Sequence, residues 1–174
     1  MRSDQRRREV LEILRQSTEP ISAAALASRF SVSRQIIVGD VALLRSAGEE
    51  IVATPRGYRM GREQTGILRQ VAVRHRGADT ETELNAIVDQ GCTVLDVIVE
   101  HPLYGELRGQ LQLSSRYEVG QYLRRCGETE AHPLSRLTDG IHLHTLLCPD
   151  EGAFERVRDE LRRLGFLLED AETK

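Results

Sequence analysis

The segment "DGIHLHTLLCPD", Asp139 to Asp150, places two of the five histidines of this chain two positions apart within an apolar run. If the run forms a β-strand, alternation directs His142 and His144 to one face and Leu143 to the other. Imidazoles on the inner face of a sheet need polar partners, because a buried polar group is costly without them. The segments that reach this face therefore decide both the fold around the strand and the chemistry of the two rings.

The composition predicts a soluble globular protein of one ordinary domain or two small ones. The chain has 174 residues, of which 40% are hydrophobic and 29% are charged. No apolar run approaches the roughly 20 residues of a membrane span, and the charged start "MRSDQRRREVLEILRQ" is unlike a signal peptide. Three widely spaced cysteines predict reduced thiols, mostly in a core. We expect a cytoplasmic protein without a membrane partner.

The charge is unevenly distributed along the chain. Residues 1–62 hold 11 arginines and 7 carboxylates, whereas residues 63–174 hold 13 basic and 20 acidic residues. A basic part followed by an acidic part predicts two modules with different partners. We place the modules at residues 1–62 and 67–171, joined by the polar, glycine-containing segment "MGREQTG" from Met60 to Gly66.

The sequence of the first module predicts three helices and a β-hairpin. The helical segments are "RSDQRRREVLEILRQ", "SAAALASRF" and "SRQIIVGDVALLRSAG". In the third segment Ser33 is the expected N-cap and Gly48 ends the helix. The segment "EEIVATPRGYRM" alternates around residues 55–57 and predicts a short hairpin. With the tight "SVS" turn between the second and third helices, this order is that of a winged helix-turn-helix.

A winged helix-turn-helix brings the start of its third helix to the DNA major groove. The side chains at that start suit hydrogen bonding to phosphates and base edges, and the hairpin arginines suit the flanking backbone or the minor groove. The predicted DNA contacts are Arg29, Ser33, Arg34, Gln35, Arg56 and Arg59. The alternative is a small helical domain for protein contacts, in which these arginines are only solvated.

The second module alternates between strand and helix patterns. The strand segments are "ILRQVAVRH", "CTVLDVIVEH", "PLYGELRGQLQL" and "GIHLHTLLCP". The helical segments are "DTETELNAIVDQG", "SSRYEVGQYLRRCG" and "DEGAFERVRDELRRLGF". This pattern predicts an α+β layer, with helices on one face of one sheet. The chain has no glycine-rich phosphate loop, nucleophile elbow or zinc ribbon, so we do not expect an enzyme.

Two further residues are candidates to join His142 and His144. His75 ends the first strand of the second module, and Glu83 lies about one turn into the following helix. If the first and last strands are neighbours, all four side chains converge. Three imidazoles and a carboxylate suit a divalent transition-metal ion, with zinc or nickel favoured over iron or manganese. The alternative is a pair of surface histidines without a ligand.

The sequence also resembles a known family over its full length. The segment "FSVSRQIIVGDVALLR" is similar to the helix-turn-helix of biotin-repressor-type winged domains, and "VIVEHPLYGELRG" and "LTDGIHLHTL" resemble the 3H domain. Together they resemble the nicotinate-responsive transcriptional repressors of NAD biosynthesis and niacin salvage. The resemblance implies an HPr-like C-terminal fold, a homodimer and a double-stranded DNA operator. It also implies one metal ion per subunit, held by the four residues above, with nicotinic acid as co-repressor.

The sequence offers three candidate contacts to the effector. His101, Tyr104 and Arg108 are candidates because they lie in or beside the "HPLYG" segment. For His101 the alternative is a turn histidine that hydrogen-bonds the backbone next to Pro102. Two other functions remain open: a regulator that senses the metal itself, and a metal-dependent enzyme that activates water and is fused to a DNA-binding module.

Overall fold

The computed structural model describes residues 2–61, 66–128 and 133–169. The chain divides into two units, Met1–Glu63 and Gln64–Lys174, and each has its own hydrophobic core. Residues 62–65 of the predicted linker lie outside the described residues. Within the described part of the chain, no helix has the length and apolar character needed to cross a membrane.

The N-terminal unit contains the three helices and the hairpin that the sequence predicts. Its elements are α1 (Ser3–Gln16), α2 (Ala23–Phe30), α3 (Arg34–Ser46), β1 (Ile51–Thr54) and β2 (Gly57–Met60). The two strands pair in antiparallel fashion. This element order confirms the predicted helix-turn-helix followed by a wing.

Serine side chains begin both helices of the helix-turn-helix. The Oγ of Ser22 accepts a hydrogen bond from the N–H of Ala25 at 3.1 Å, and the Oγ of Ser33 accepts one from the N–H of Ile36 at 3.3 Å. Between the helices Ser31 has a left-handed backbone with φ 53°. This conformation ends α2 and lets the chain reverse within three residues, so that α3 begins at the predicted N-cap.

The core of the N-terminal unit lies where its three helices meet. At the edge of the core, Asp40 of α3 is buried and accepts hydrogen bonds from Nε of Arg6 at 2.6 Å and from Nη2 of the same side chain at 3.2 Å. This bidentate ion pair joins α1 to α3 and balances the buried carboxylate. The largest fully buried side chains of the unit are Val10, Leu14, Leu26, Ile37 and Val41.

The C-terminal unit is one antiparallel sheet with helices. Its elements are β3 (Ile67–Arg74), α4 (Thr80–Val88), β4 (Thr93–His101), β5 (Gly105–Leu113), α5 (Arg116–Glu128), β6 (Ile141–Cys148) and α6 (Glu151–Arg163). The strand order is β3-β6-β4-β5, which puts the histidine strand β6 at an inner position. The predicted α+β class is confirmed. Short 3₁₀ helices at Gly77–Asp79 and Leu134–Thr138 were not predicted.

One face of this sheet packs against α4, α5 and α6, and we call it the inner face. Side chains from the strands and from the three helices form a single core there. Cys92 and Cys148 belong to this core, and all three cysteines are free, in agreement with the prediction. Core members that are at most 1% exposed include Val73, Leu84, Ile87, Val94, Val119, Leu146, Val157 and Leu161.

The segment after α6 closes the outer edge of β3. The N–H of Arg74 donates to the carbonyl of Phe166 at 2.8 Å, and the N–H of Leu168 donates to the carbonyl of Ala72 at 2.9 Å. These bonds satisfy an edge that would otherwise be open. They also bring the ring of Phe166 to 5.1 Å from the ring of His75.

Gly57, at the start of β2, is expected to be intolerant of any side chain. Its φ is +138°, and a Cβ atom would lie 2.3 Å from the carbonyl oxygen of Ile21. We predict that Gly57→Ala lowers the free energy of unfolding of the N-terminal unit by about 1–3 kcal/mol, as measured by urea denaturation. Gly39→Ala is the control, because no atom lies within 4 Å of its Cβ position in α3. It should leave stability unchanged or raise it by up to about 1 kcal/mol. Equal stability of the two variants would contradict this interpretation.

Candidate functional site

The structure brings all four predicted metal donors together. Strands β3 and β6 pair directly, with Val73 opposite His142, so the first and last strands of the unit are neighbours as expected. His75 follows the end of β3, and Glu83 lies in the first turn of α4 on the inner face. Glu83 is 0% exposed, and His142 and His144 are each 2% exposed. The cluster is therefore a buried site and not a pair of surface histidines.

Each ring directs its Nε2 atom at the carboxylate of Glu83. The Nε2–Oε distances are 2.6 Å for His75, 3.4 Å for His142 and 3.2 Å for His144. The ligand atoms of His75, Glu83 and His142 all lie within 4.8 Å of one another. Nε2 of His144 lies 3.2 Å from the Glu83 Oε1 atom, and its ring packs edge-on against His142. We therefore count four donors.

Backbone carbonyl groups hold the other nitrogen atom of every ring. A carbonyl oxygen only accepts hydrogen bonds, so each Nδ1 must carry the proton and a neutral ring keeps its lone pair on Nε2. The Nδ1–O distances are 2.8 Å from His75 to Arg76, 2.9 Å from His142 to Gly140 and 2.6 Å from His144 to Asp96. The three lone pairs consequently point at Glu83.

Two atoms at the centre lack a hydrogen-bond partner among the described residues. They are Oε1 of Glu83 and Nε2 of His144, and both are buried. An unsatisfied buried polar atom costs roughly 1–3 kcal/mol, and a lone pair facing a carboxylate oxygen is repulsive. A proton or a metal ion between them removes both penalties. Three imidazole nitrogens and one carboxylate oxygen are a donor set that zinc and similar ions accept, so the residues fit such an ion.

Electrostatics in the cluster favour a charged Glu83 and the protonated forms of His75 and His144. Burial acts to raise the pKa of Glu83, but the attraction of His144 and the close approach of the three ring nitrogen atoms outweigh it and hold the pKa well below its usual range. For His75 and His144, burial acts to lower the pKa, but contact with Glu83 outweighs it and raises the pKa. Protons and a metal ion would thus compete for the same nitrogen atoms.

A small pocket opens beside the cluster. Its enclosed volume is only about 20 Å³, its mouth opens to solvent, and its walls are mainly apolar. Burial raises the pKa of Tyr122, so its hydroxyl group remains protonated. Besides Glu83, His142 and His144, the lining includes Thr80, Leu84, Val97, Leu111, Tyr122, Leu134 and Ser135. These residues come from α4, β4, β5, α5 and a 3₁₀ helix, which is why sequence reasoning missed the pocket.

The three predicted effector contacts lie elsewhere. His101 and Tyr104 stack at the β4–β5 turn with ring centroids 4.9 Å apart, and Tyr104 is exposed. The Nδ1 atom of His101 accepts a hydrogen bond from the N–H of Tyr104 at 3.4 Å, as expected of a turn histidine. Arg108 forms an ion pair with Asp96 at 2.7 Å. None of the three lines the pocket beside the histidines.

The predicted DNA contacts occupy two surfaces of the N-terminal unit. Ser33, Arg34 and Gln35 are exposed at the start of α3, and Arg29 is exposed in the last turn of α2. On the hairpin, Arg56 and Arg59 are half-buried. Arg56 pairs with Glu19 at 3.2 Å, and Nη1 of Arg59 donates to the carbonyl of Met60 at 3.4 Å.

One residue of α3 was missed by sequence reasoning. Ile36 follows the predicted contacts directly and is 42% exposed, although it is a large aliphatic residue. An exposed apolar side chain at this position is suited to contact the methyl group of thymine. The signal was available in the sequence, because a helix that buries Ile37 and Val41 turns Ile36 outward.

Comparison with known proteins identifies the family of the chain. Residues 68–170 match the 3H domain, and residues 6–59 match an HTH domain. The chain belongs to the 3H-domain family. The probable transcription repressor NiaR of Thermotoga maritima is 46% identical over 166 residues, which cover 95% of each chain. The transcription repressor NadR of Bacillus subtilis is 40% identical over 169 residues, which cover 95% of this chain and 94% of that protein.

These matches confirm the predicted combination of a helix-turn-helix with a 3H domain. Both relatives are named as transcription repressors. This agrees with the prediction that the chain is a regulator and not an enzyme.

The metal-free protein should lose stability as the pH rises. Because the pKa of His75 and His144 lies above the ordinary 6.5, their protonation stabilises the fold fully below that value and this contribution disappears as the pH passes the raised pKa. Glu83→Gln removes the charge that raises the pKa of both histidines. The free energy of unfolding of this variant should therefore depend less on pH. Urea denaturation at a series of pH values, with a chelator present, measures this pH dependence. Glu155→Gln, an exposed change on α6, should keep the wild-type slope. A wild-type slope in Glu83→Gln would contradict the assignment.

Proposed function

We propose that this protein is a homodimeric repressor of genes of NAD biosynthesis and niacin salvage. Nicotinic acid would be its co-repressor, and each subunit would hold one divalent transition-metal ion. The observation that carries the proposal is the convergence of three imidazole nitrogen atoms on the buried Glu83 carboxylate, directly beside a pocket. The helix-turn-helix and the two repressor relatives support the DNA-binding part.

His75, Glu83, His142 and His144 are the residues that would hold the ion. The Nδ1 atoms of the three histidines already donate hydrogen bonds to backbone carbonyls, so the rings are oriented before any ion binds. The donor set favours zinc or nickel, and iron or manganese are also compatible with it. When bound, the ion would supply a Lewis acid to which a carboxylate or a pyridine nitrogen can coordinate.

The pocket has the chemistry expected of a site for a small flat acid. The side chains of Leu84, Val97, Leu111 and Leu134 supply apolar walls for the faces of an aromatic ring. The protonated hydroxyl group of Tyr122 can donate a hydrogen bond to a carboxylate. We therefore propose the pocket side chains as effector contacts, in place of the exposed turn and of Arg108.

Co-repression requires that effector and operator strengthen each other's binding. The coupling must be the same in both directions, and such couplings are typically about 1–3 kcal/mol, or roughly 5- to 150-fold. A homodimer with two recognition helices about 34 Å apart would read a palindromic operator. Arginines facing phosphates would make the binding strongly salt-dependent.

The double variant His142→Ala/His144→Ala should lose both the metal and the response to nicotinic acid, because it removes half of the donors. Elemental analysis of the purified protein measures the metal, and operator binding with and without nicotinic acid measures the response. His101→Ala is the control, since its ring lies at an exposed turn, and it should retain both. Full metal content in the double variant would refute the site. A full response of the wild type to metal alone would identify the metal itself as the signal.

Arg34→Ala should weaken binding to the specific operator by about 1–3 kcal/mol, the usual contribution of a side chain that reads a base. Fluorescence anisotropy with labelled operator at fixed salt measures the affinity. Nicotinic acid should still bind as in the wild type, because Arg34 lies in the other unit. The control Arg158→Ala removes an arginine of α6 and should leave operator affinity unchanged. If Arg34→Ala also binds normally, α3 is not the recognition helix.

A further inference from the structure

We propose that Asp96, which is not one of the four metal donors, is a positioning residue for His144, and that Arg108 holds Asp96 in place. The inference rests on the proposed metal site. It assigns to the Asp96–Arg108 pair the role of keeping the His144 ring in the one orientation and tautomer that can bind an ion. It also gives Arg108 a role that does not require contact with the effector.

An irregularity in β4 creates the contact. Along β6, Val94 lies opposite Leu146 and Asp96 lies opposite Thr145, so Leu95 has no partner of its own. The register with β5 shifts at the same place. A bulge of this kind interrupts the regular ladder of backbone hydrogen bonds and leaves groups that need other partners.

The backbone of Asp96 supplies one such partner. Its carbonyl oxygen accepts a hydrogen bond from Nδ1 of His144 at 2.6 Å. His75 and His142 donate to carbonyls one and two residues away along the chain. The acceptor for His144 lies 48 residues away on another strand. The orientation of this ring therefore depends on the tertiary structure at the bulge.

The side chain of Asp96 keeps the bulge in this shape. Oδ1 accepts a hydrogen bond from the backbone N–H of Thr145 at 3.0 Å, and Oδ2 accepts one from Nη1 of Arg108 at 2.7 Å. The side chain is only 4% exposed, and both of its oxygen atoms have hydrogen-bond donors, as a buried carboxylate requires. One carboxylate thus links β4 to β6 on one side and to β5 on the other.

The consequence at the metal site is geometric. With Nδ1–H bound to a carbonyl, the lone pair of His144 is on Nε2, which lies 3.2 Å from Oε1 of Glu83. Without the carboxylate of Asp96, the N–H of Thr145 would lose its partner and, among the described residues, Arg108 would keep only its ion pair with Glu106. The bulge would then be free to take another register. The ring of His144 would then lose its fixed acceptor.

The test compares Asp96→Ala and Arg108→Gln with the wild type in two measurements. Competition with a chelator gives the affinity for zinc, and nitrogen NMR of the imidazole rings in metal-free protein, at a pH where they are neutral, gives the tautomer of His144. We expect Asp96→Ala to bind zinc roughly 10- to 100-fold more weakly and to lose the single Nδ1–H tautomer. Arg108→Gln should also weaken zinc binding and the preference for the Nδ1–H tautomer, but to a smaller extent than Asp96→Ala. The control Asp89→Asn breaks the exposed Asp89–Arg116 pair and should change neither.

A folded Asp96→Ala variant with wild-type zinc affinity and the wild-type tautomer would overturn the proposal. If Asp96→Ala does not fold, Arg108→Gln decides by the same two measurements. If the wild type itself binds no zinc, the proposed metal function fails separately. The His144 tautomer in the metal-free variants then still confirms or refutes the positioning role.

Discussion

The C-terminal unit depends on how the charge of one buried carboxylate is balanced. An ionised carboxyl group removed from water is tolerated only where cations or hydrogen-bond donors surround it. Around Glu83 this role falls to His75, His142 and His144, which come from the end of β3 and from β6. Each ring commits Nδ1 to the backbone, so Nε2 alone is left to meet the carboxylate. Protonation of His75 and His144 would balance this charge, and the metal ion that we propose would balance it in the same geometry.

The backbone around the cluster holds the histidine rings in this orientation. Gly140, just before β6, has φ +87°, and a Cβ atom there would lie 2.1 Å from the carbonyl oxygen of His75. Only glycine allows this close passage. Its own carbonyl is the acceptor for Nδ1 of His142. Gly140 therefore helps to hold two of the predicted donors, His75 and His142, and the bulge at Asp96 does the same for His144.

Local signals predicted most of the fold because they act within a few residues. The predicted cap Ser33 begins α3, and Ser22 and Asp150 begin α2 and α6 in the same way, each by accepting a backbone hydrogen bond. Alternation marked the four strands of the sheet. The bulge in β4, the 3₁₀ helix Leu134–Thr138 and the closure of β3 by Phe166 and Leu168 had no such signal, because each depends on contacts between distant segments.

The sequence by itself determined the element types, the order of the two units and the four candidate donors, because residue type and spacing along the chain control these features. It did not determine the intramolecular partners of His101, Tyr104 and Arg108, which lie in a turn and an ion pair, and their contact with the effector stays a prediction. The pocket beside Glu83 was decided only by the tertiary structure. Its walls come from separate helices and strands, and their meeting is fixed by strand order and helix packing, neither of which a local pattern encodes.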